Sequence, residues 1–330
     1  MSLTPNRRMV GVVLLVPLVV TLALWAFAWP AARTAPRDLP VGIAGSAPAA
    51  DRLQQQFEER DGAFEVHRYD SGTAARKAIE DRAVYGAVVV SEKGPELLTA
   101  SAGGTVVAQL LREAVTAAAP AGSAVPVTDV VAAPAADPRG AVLGASIMPL
   151  AIAGVAAGAA VTLLRVRGAR AGVALLGVAA VVGLAGTAVT DSWLGALTGD
   201  WWAEAGSIAL TVLAIGAPVA GLAALIGAPG IGIGALLMVF LGNPFSGVTS
   251  APELLPRPIG ALGQLLPPGA GGSLLRSVAF FDGAAAGGAA LTLGAWAVLG
   301  LAAVLIGGRR GIAAPDTSPV AAGREPVPAG

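Results

Sequence analysis

The chain has 330 residues, 55% of them hydrophobic and 13% charged, with no cysteine, a single histidine and a formal net charge of zero. Soluble domains carry roughly 25% charged residues, so this composition leaves too little charge to cover a water-soluble globule. No basic excess points to nucleic acid, and His67 alone without cysteine excludes disulfide scaffolds, thiolate chemistry and the usual zinc sites.

Six apolar stretches lack Asp, Glu, Lys, Arg and His: residues 9–29, 142–164, 171–190, 208–227, 231–248 and 287–307. Each approaches the roughly 20 residues that a helix needs to cross a hydrocarbon core about 30 Å thick. The first follows Arg7 and Arg8, and Ala26-Phe27-Ala28 offers a cleavage-like pattern after it. Its apolar core exceeds the roughly 7–15 residues of a signal peptide, so an uncleaved anchor is expected.

Residues 30–141 read as an α/β domain. Val41-Gly42-Ile43-Ala44 is a short strand, and Ser46 is placed to cap a helix with Ala49, Leu53 and Phe57 on one face. Phe64 to Tyr69 alternates as a half-buried strand, Ser71 caps a helix with Ala75 and Ile79 inward, and Tyr85 to Val90 reads as a buried central strand. A strand at Leu97 to Ala100, a helix from Thr105 to Ala118 and an edge strand near Val125 to Val131 complete a small, mostly parallel sheet. His67 is read as a solvated strand residue, and Arg76 with Glu80 as an i,i+4 ion pair. Gly42 to Gly45 lacks a full glycine fingerprint or P-loop lysine.

Residues 142–310 carry the other five spans. Arg165, Arg167 and Arg170 fill the link between the second and third, and Arg309 and Arg310 close the sixth. With Arg7 and Arg8 they fall on one face, which the positive-inside rule makes cytoplasmic, together with both termini and the link Ala228-Pro229-Gly230. Residues 191–204 are then external, with Trp193, Trp201 and Trp202 at headgroup level. Gly154/Gly158 and Gly283/Gly287 have the spacing of close helix packing, within the chain or across a dimer seam. Pro149 and Pro218 are placed to kink the second and fourth spans. Residues 249–283 are apolar but cut by prolines, so a re-entrant or interfacial segment is expected there. Pro267, Pro268, Arg276 and Asp282 are its candidate gate or interface residues, with Arg276 held by Asp282 or a lipid phosphate. Residues 311–330 read as a disordered cytoplasmic tail. The expected fold is a polytopic α-helical membrane protein of the plasma membrane, with six transmembrane helices and a small α/β extracytoplasmic domain between the first two.

This arrangement resembles the ABC-2 type permeases, the membrane subunits of ABC exporters, and among them the actinobacterial YhgE/Pip-like membrane proteins. The pattern Ala74 to Val90, with Tyr85-Gly86-Ala87-Val88-Val89-Val90, and the run Leu265-Leu266-Pro267-Pro268-Gly269-Ala270 through Arg276 carry the resemblance. It implies a half-transporter, paired with itself or a similar permease, that exports a lipid, drug or polymer. ATP hydrolysis would belong to a separate ATP-binding subunit, because the chain has no G-x-x-x-x-G-K-[ST] sequence. No cofactor, catalytic residue or metal ligand is expected in the chain, and its solvent is the lipid bilayer. The short link from Arg165 to Arg170 departs from the pattern by offering an ATPase little coupling surface. The competing expectation is a non-transporting membrane scaffold or surface-binding protein acting through its extracytoplasmic domain.

Overall fold

The computed structural model describes residues 5–45, 47–59, 62–92, 94–118 and 125–310. The expected cap at Ser46 and the expected tail at 311–330 lie outside the described residues. The fold is mostly helical, with one small sheet.

Helix α1 (Pro5–Ala31) leads into strand β1 (Leu39–Gly45). Helix α2 (Ala47–Glu58), strand β2 (Phe64–Tyr69), helix α3 (Gly72–Glu80) and strand β3 (Gly86–Ser91) follow. Strand β4 (Gly94–Thr99), helix α4 (Thr105–Ala118) and the short strand β5 (Val127–Asp129) close the domain. The strand order is β2-β1-β3-β4-β5, parallel throughout except for the β3–β4 hairpin. Ile43, Val88 and Leu97 sit side by side across three strands and are buried beneath α2 and α4 with Phe57 and Leu111. The other face receives α3, whose Ala75 and Ile79 are buried against Ala44, Ala87 and Leu98. Ser71 caps α3 by accepting the Ala74 N–H at 3.1 Å. His67 lies 3.5 Å from Glu65 at the partly exposed sheet edge. The i,i+4 pair of α3 is Lys77 with Asp81 at 2.6 Å, one residue along from the expected Arg76–Glu80 pair.

Five helices are long and apolar enough to cross a membrane: Met9–Ala31, Ala141–Leu163, Ala169–Trp193, Trp201–Ile226 and Ala286–Arg309. We label the last four α5, α6, α7 and α11. The α-helical part of α6 ends at Thr187 and a π-helical turn carries it to Trp193. Helix α7 is the centre of the bundle, with 67% of its apolar window buried against 22% for α6 and α11. Glycines set its close approaches. A Cβ at Gly158 of α5 would lie 2.6 Å from the Gly216 carbonyl, and one at Gly300 of α11 would lie 2.4 Å from the Ala217 carbonyl carbon. The Gly154/Gly158 pair is therefore used within the chain, whereas Gly283 and Gly287 face open space. Helix α1 is the least covered, its leucines largely exposed and its contact with the bundle made at residues 236–242.

Two expectations fail here. Helix α7 begins at Trp201, seven residues before the expected start at 208, and so takes in the fully buried Glu204. The expected continuous span at 231–248 stops at Gly242: α8 (Pro229–Ala235) continues as a π-helix over Leu236–Gly242. At about 1.5 Å per residue, the 14 residues of Pro229–Gly242 rise only about 21 Å. Asn243-Pro244 then turns the chain, since a proline removes a donor and disfavours helix in the residue before it.

Residues 243–266, which include α9 (Ile259–Gln264), leave the bundle and return to it. Helix α10 (Pro267–Phe280) then takes up the path that α8 abandoned. Along α7, Gly230 abuts Leu222, Gly234 abuts Val219 and Met238 packs on Ile215. Further along, Gly271 of α10 abuts Thr211, and Val278 lies against Gly199 just before α7 starts. A Cβ at Gly242 would lie 2.7 Å from the Pro268 ring, so the two short helices meet end to end. Both run antiparallel to α7 and together they match its length. The segment expected to be re-entrant or interfacial is therefore two things: an excursion over residues 243–266 and the second half of a split helix.

Candidate functional site

The excursion ties the split helix to the α/β domain. Leu254 is fully buried in the domain core with Leu39, Val41 and Leu111. The Ala35 N–H donates to the Leu254 carbonyl at 3.0 Å, and the Arg37 N–H donates to the Glu253 carbonyl at 2.9 Å. At the far end of α10, Phe281 is buried on the opposite face of the sheet, among Ala44, Ile79 and Ala87. The domain thus grips both ends of the stretch that interrupts the membrane bundle.

Between these grips lies a cleft of about 710 Å³. The domain contributes Arg82 and Tyr85, the excursion Glu253 and Gln264, α10 contributes Arg276, and Thr292 closes it from α11. Arg82 is positioned by the turn after α3, where it adopts φ 60°, and it donates to the Ser273 carbonyl at 3.0 Å and to the Ser277 hydroxyl. Its guanidinium sits 5.3 Å from the centre of the Phe281 ring. The Tyr85 hydroxyl donates to Glu253 Oε2 at 2.7 Å. Arg276 is buried and donates from Nη2 to the Val248 carbonyl at 2.5 Å. Among the described residues neither arginine has a carboxylate within 4.0 Å; their acceptors are carbonyls and a hydroxyl.

The electrostatics follow from that placement. Arg276 is buried, with its guanidinium enclosed by the split helix and the excursion. Arg82 is pulled below its ordinary value, chiefly by burial. The Tyr85 phenol is pushed well up, first by burial and then by the charge and hydrogen bond of Glu253. A half-buried and a buried cation thus line one cleft with a single carboxylate, Glu253, that pairs with neither of them.

The four residues singled out from sequence separate. Pro267 and Pro268 are buried at the first turn of α10, and Pro268 lies against Gly242 at the break. Arg276 is in the cleft. Asp282 is exposed in the turn before α11 with φ 49°, and no ion pair joins it to Arg276. The expected Arg276–Asp282 pair is therefore absent, because the α10 helix ends at Phe280 and turns Asp282 outward. Sequence reasoning missed Arg82, Tyr85 and Glu253 as a group. Their partners lie 168 to 195 residues away, a separation that no local pattern encodes. It also missed Glu204, whose Oε1 accepts the Gly199 N–H at 2.9 Å at the head of α7. Among the described residues no cluster of His, Cys, Asp and Glu could hold a metal ion.

No family model, no curated protein and no solved structure matches the chain.

Proposed function

We propose that the chain is a membrane permease subunit of the ABC-2 exporter type, with six crossings of the plasma membrane, the fifth made of α8 and α10 stacked end to end. The 28 residues of the two halves reach about 42 Å, enough for a hydrocarbon core of about 30 Å. The split helix is the observation that carries the reading. Secondary transporters use interrupted helices at their binding sites, and irregular backbone at membrane depth is tolerated where protein or a water-filled cavity covers it. Here the excursion provides a lever from the external domain to the middle of the bundle. ATP hydrolysis is assigned to a separate subunit, and the permease pairs with itself or with a similar chain.

The arginine clusters give the orientation, with both termini cytoplasmic and the α/β domain outside. Single cysteines introduced into this cysteine-free chain report it: impermeant maleimide on intact cells is expected to label Arg112→Cys and Thr198→Cys but not Arg167→Cys. Labelling at position 167 refutes the six-crossing arrangement. Energy coupling is tested by pull-down from native membranes. The chain is expected to bring down an ATP-hydrolysing subunit and to hydrolyse no ATP alone.

The second reading, a non-transporting scaffold acting through its external domain, is favoured by one observation. Helix α5 ends at Leu163 and α6 starts at Ala169, so the link between them is short for docking an ATPase. Recovery of the chain alone from detergents that preserve ABC complexes decides for this reading.

A further inference from the structure

We propose that the cleft between the α/β domain and the split helix binds the anionic phosphate headgroup of an amphiphile, whose tail leaves along the glycine-rich start of α11. The permease reading supplies the word cargo for this ligand, and the inference deepens that reading by naming the cargo's chemistry.

Charge is the first argument. At the rim, Arg37 and Arg257 face Asp38 and Glu65, and Arg257 pairs with Asp38. The rim is therefore balanced. Inside, Arg82 and Arg276 line the cleft with Glu253 alone, an excess of one positive charge beside a buried guanidinium. Hydrogen-bond capacity is the second. A guanidinium offers five N–H donors, and Arg276 uses one of them among the described residues. A phosphate oxygen matches both the charge and the fork of donors, and such charge-assisted bonds are the strong ones.

Shape supplies the third argument. The cleft volume of about 710 Å³ is far more than an inorganic phosphate fills and lies in the ordinary range for small-molecule sites. Its wall on the membrane side is Leu265, Ala285, Gly288 and Ala289. Nothing lies within 4 Å of a Cβ built at Gly287, Gly288 or Gly294, so this wall opens along α11 toward the apolar face carrying Leu291, which is 75% exposed. A charged head inward and an acyl chain outward along this glycine track satisfies both surfaces.

Purified full-length protein in detergent, titrated with dioctanoyl phosphatidylglycerol, is expected to bind it saturably by native mass spectrometry, while dioctanoyl phosphatidylcholine does not compete. Arg276→Gln and Arg82→Gln, which remove the charge and the fork of donors but leave a shorter polar side chain, are each expected to weaken binding at least about tenfold. Gly288→Phe fills the open wall without touching the polar cluster, and is expected to abolish lipid binding while inorganic phosphate still binds. Inorganic phosphate displacing the lipid as effectively as the lipid itself assigns the cleft to free phosphate. Equal binding of both lipids, or wild-type binding in Arg82→Gln and Gly288→Phe, overturns the proposal even if Arg276→Gln does not fold. An ATPase recovered with a chain that binds no anion sinks this inference and leaves the permease reading; binding without an ATPase does the reverse.

Discussion

Leu254→Ala is expected to lower stability by about 2–5 kcal/mol and to free the excursion from the α/β domain. The side chain is fully buried with residues of β1 and α4, although its backbone belongs to a segment more than two hundred residues beyond β1. Truncation leaves a cavity that the surrounding sheet is poorly placed to fill, since Val41 and Leu111 are fixed in the strand and helix that frame it. The backbone bonds from Ala35 and Arg37 to the excursion lose their side-chain anchor at the same time. Two measurements check this: the apparent melting temperature in detergent, and limited proteolysis across 249–258, which should speed up markedly. Leu262→Ala is the control, because Leu262 on α9 is 48% exposed and its truncation should cost little. If the two variants behave alike, the domain does not hold the excursion.

The parts of the fold written in the sequence are those whose rules are local. The periodicity of α3 with its Ser71 cap, the limits of α4, and the apolar length of α5, α6, α7 and α11 all follow from neighbours within a few turns. The split helix does not. Residues 231–248 stay apolar through Asn243-Pro244-Phe245, so hydropathy continues where the helix stops. Helix α10 has the opposite disguise: Pro267-Pro268-Gly269-Ala270-Gly271-Gly272 reads as a breaker. Its glycines answer to distant partners. A Cβ at Gly271 would lie 2.5 Å from Thr211, and one at Gly272 would lie 2.2 Å from Val248. The prolines suit the first turn, where their missing N–H groups have no helical partner to lose. The cleft was hidden for the same reason. Arg276 could be singled out as a charge near an apolar segment, but its meeting with Arg82 and Tyr85 depends on how the domain lands on α10.

That landing is where movement is to be sought, and a reversible crosslink is the test with the largest expected effect. The chain has no cysteine, so within one copy two introduced thiols can pair only with each other. A Cβ at Gly144, near the start of α5, would lie 3.8 Å from the Thr249 Cβ at the beginning of the excursion, within the spacing of an unstrained disulfide. Oxidised Gly144→Cys/Thr249→Cys therefore fastens the excursion to a helix that the split crossing must slide past if it works as a gate. In proteoliposomes containing the complete complex, oxidation is expected to cut substrate movement at least about tenfold, as reduced access to one of two required states does, and reductant to restore it. Gly72→Cys/Val89→Cys is the matched control. Its Cβ separation is 3.9 Å and it lies wholly inside the α/β domain, so its oxidation should leave transport unchanged. Full crosslinking at 144 and 249 with undiminished transport means that the excursion is a fixed cap, and the gate must then be sought at the Gly242–Pro268 junction alone.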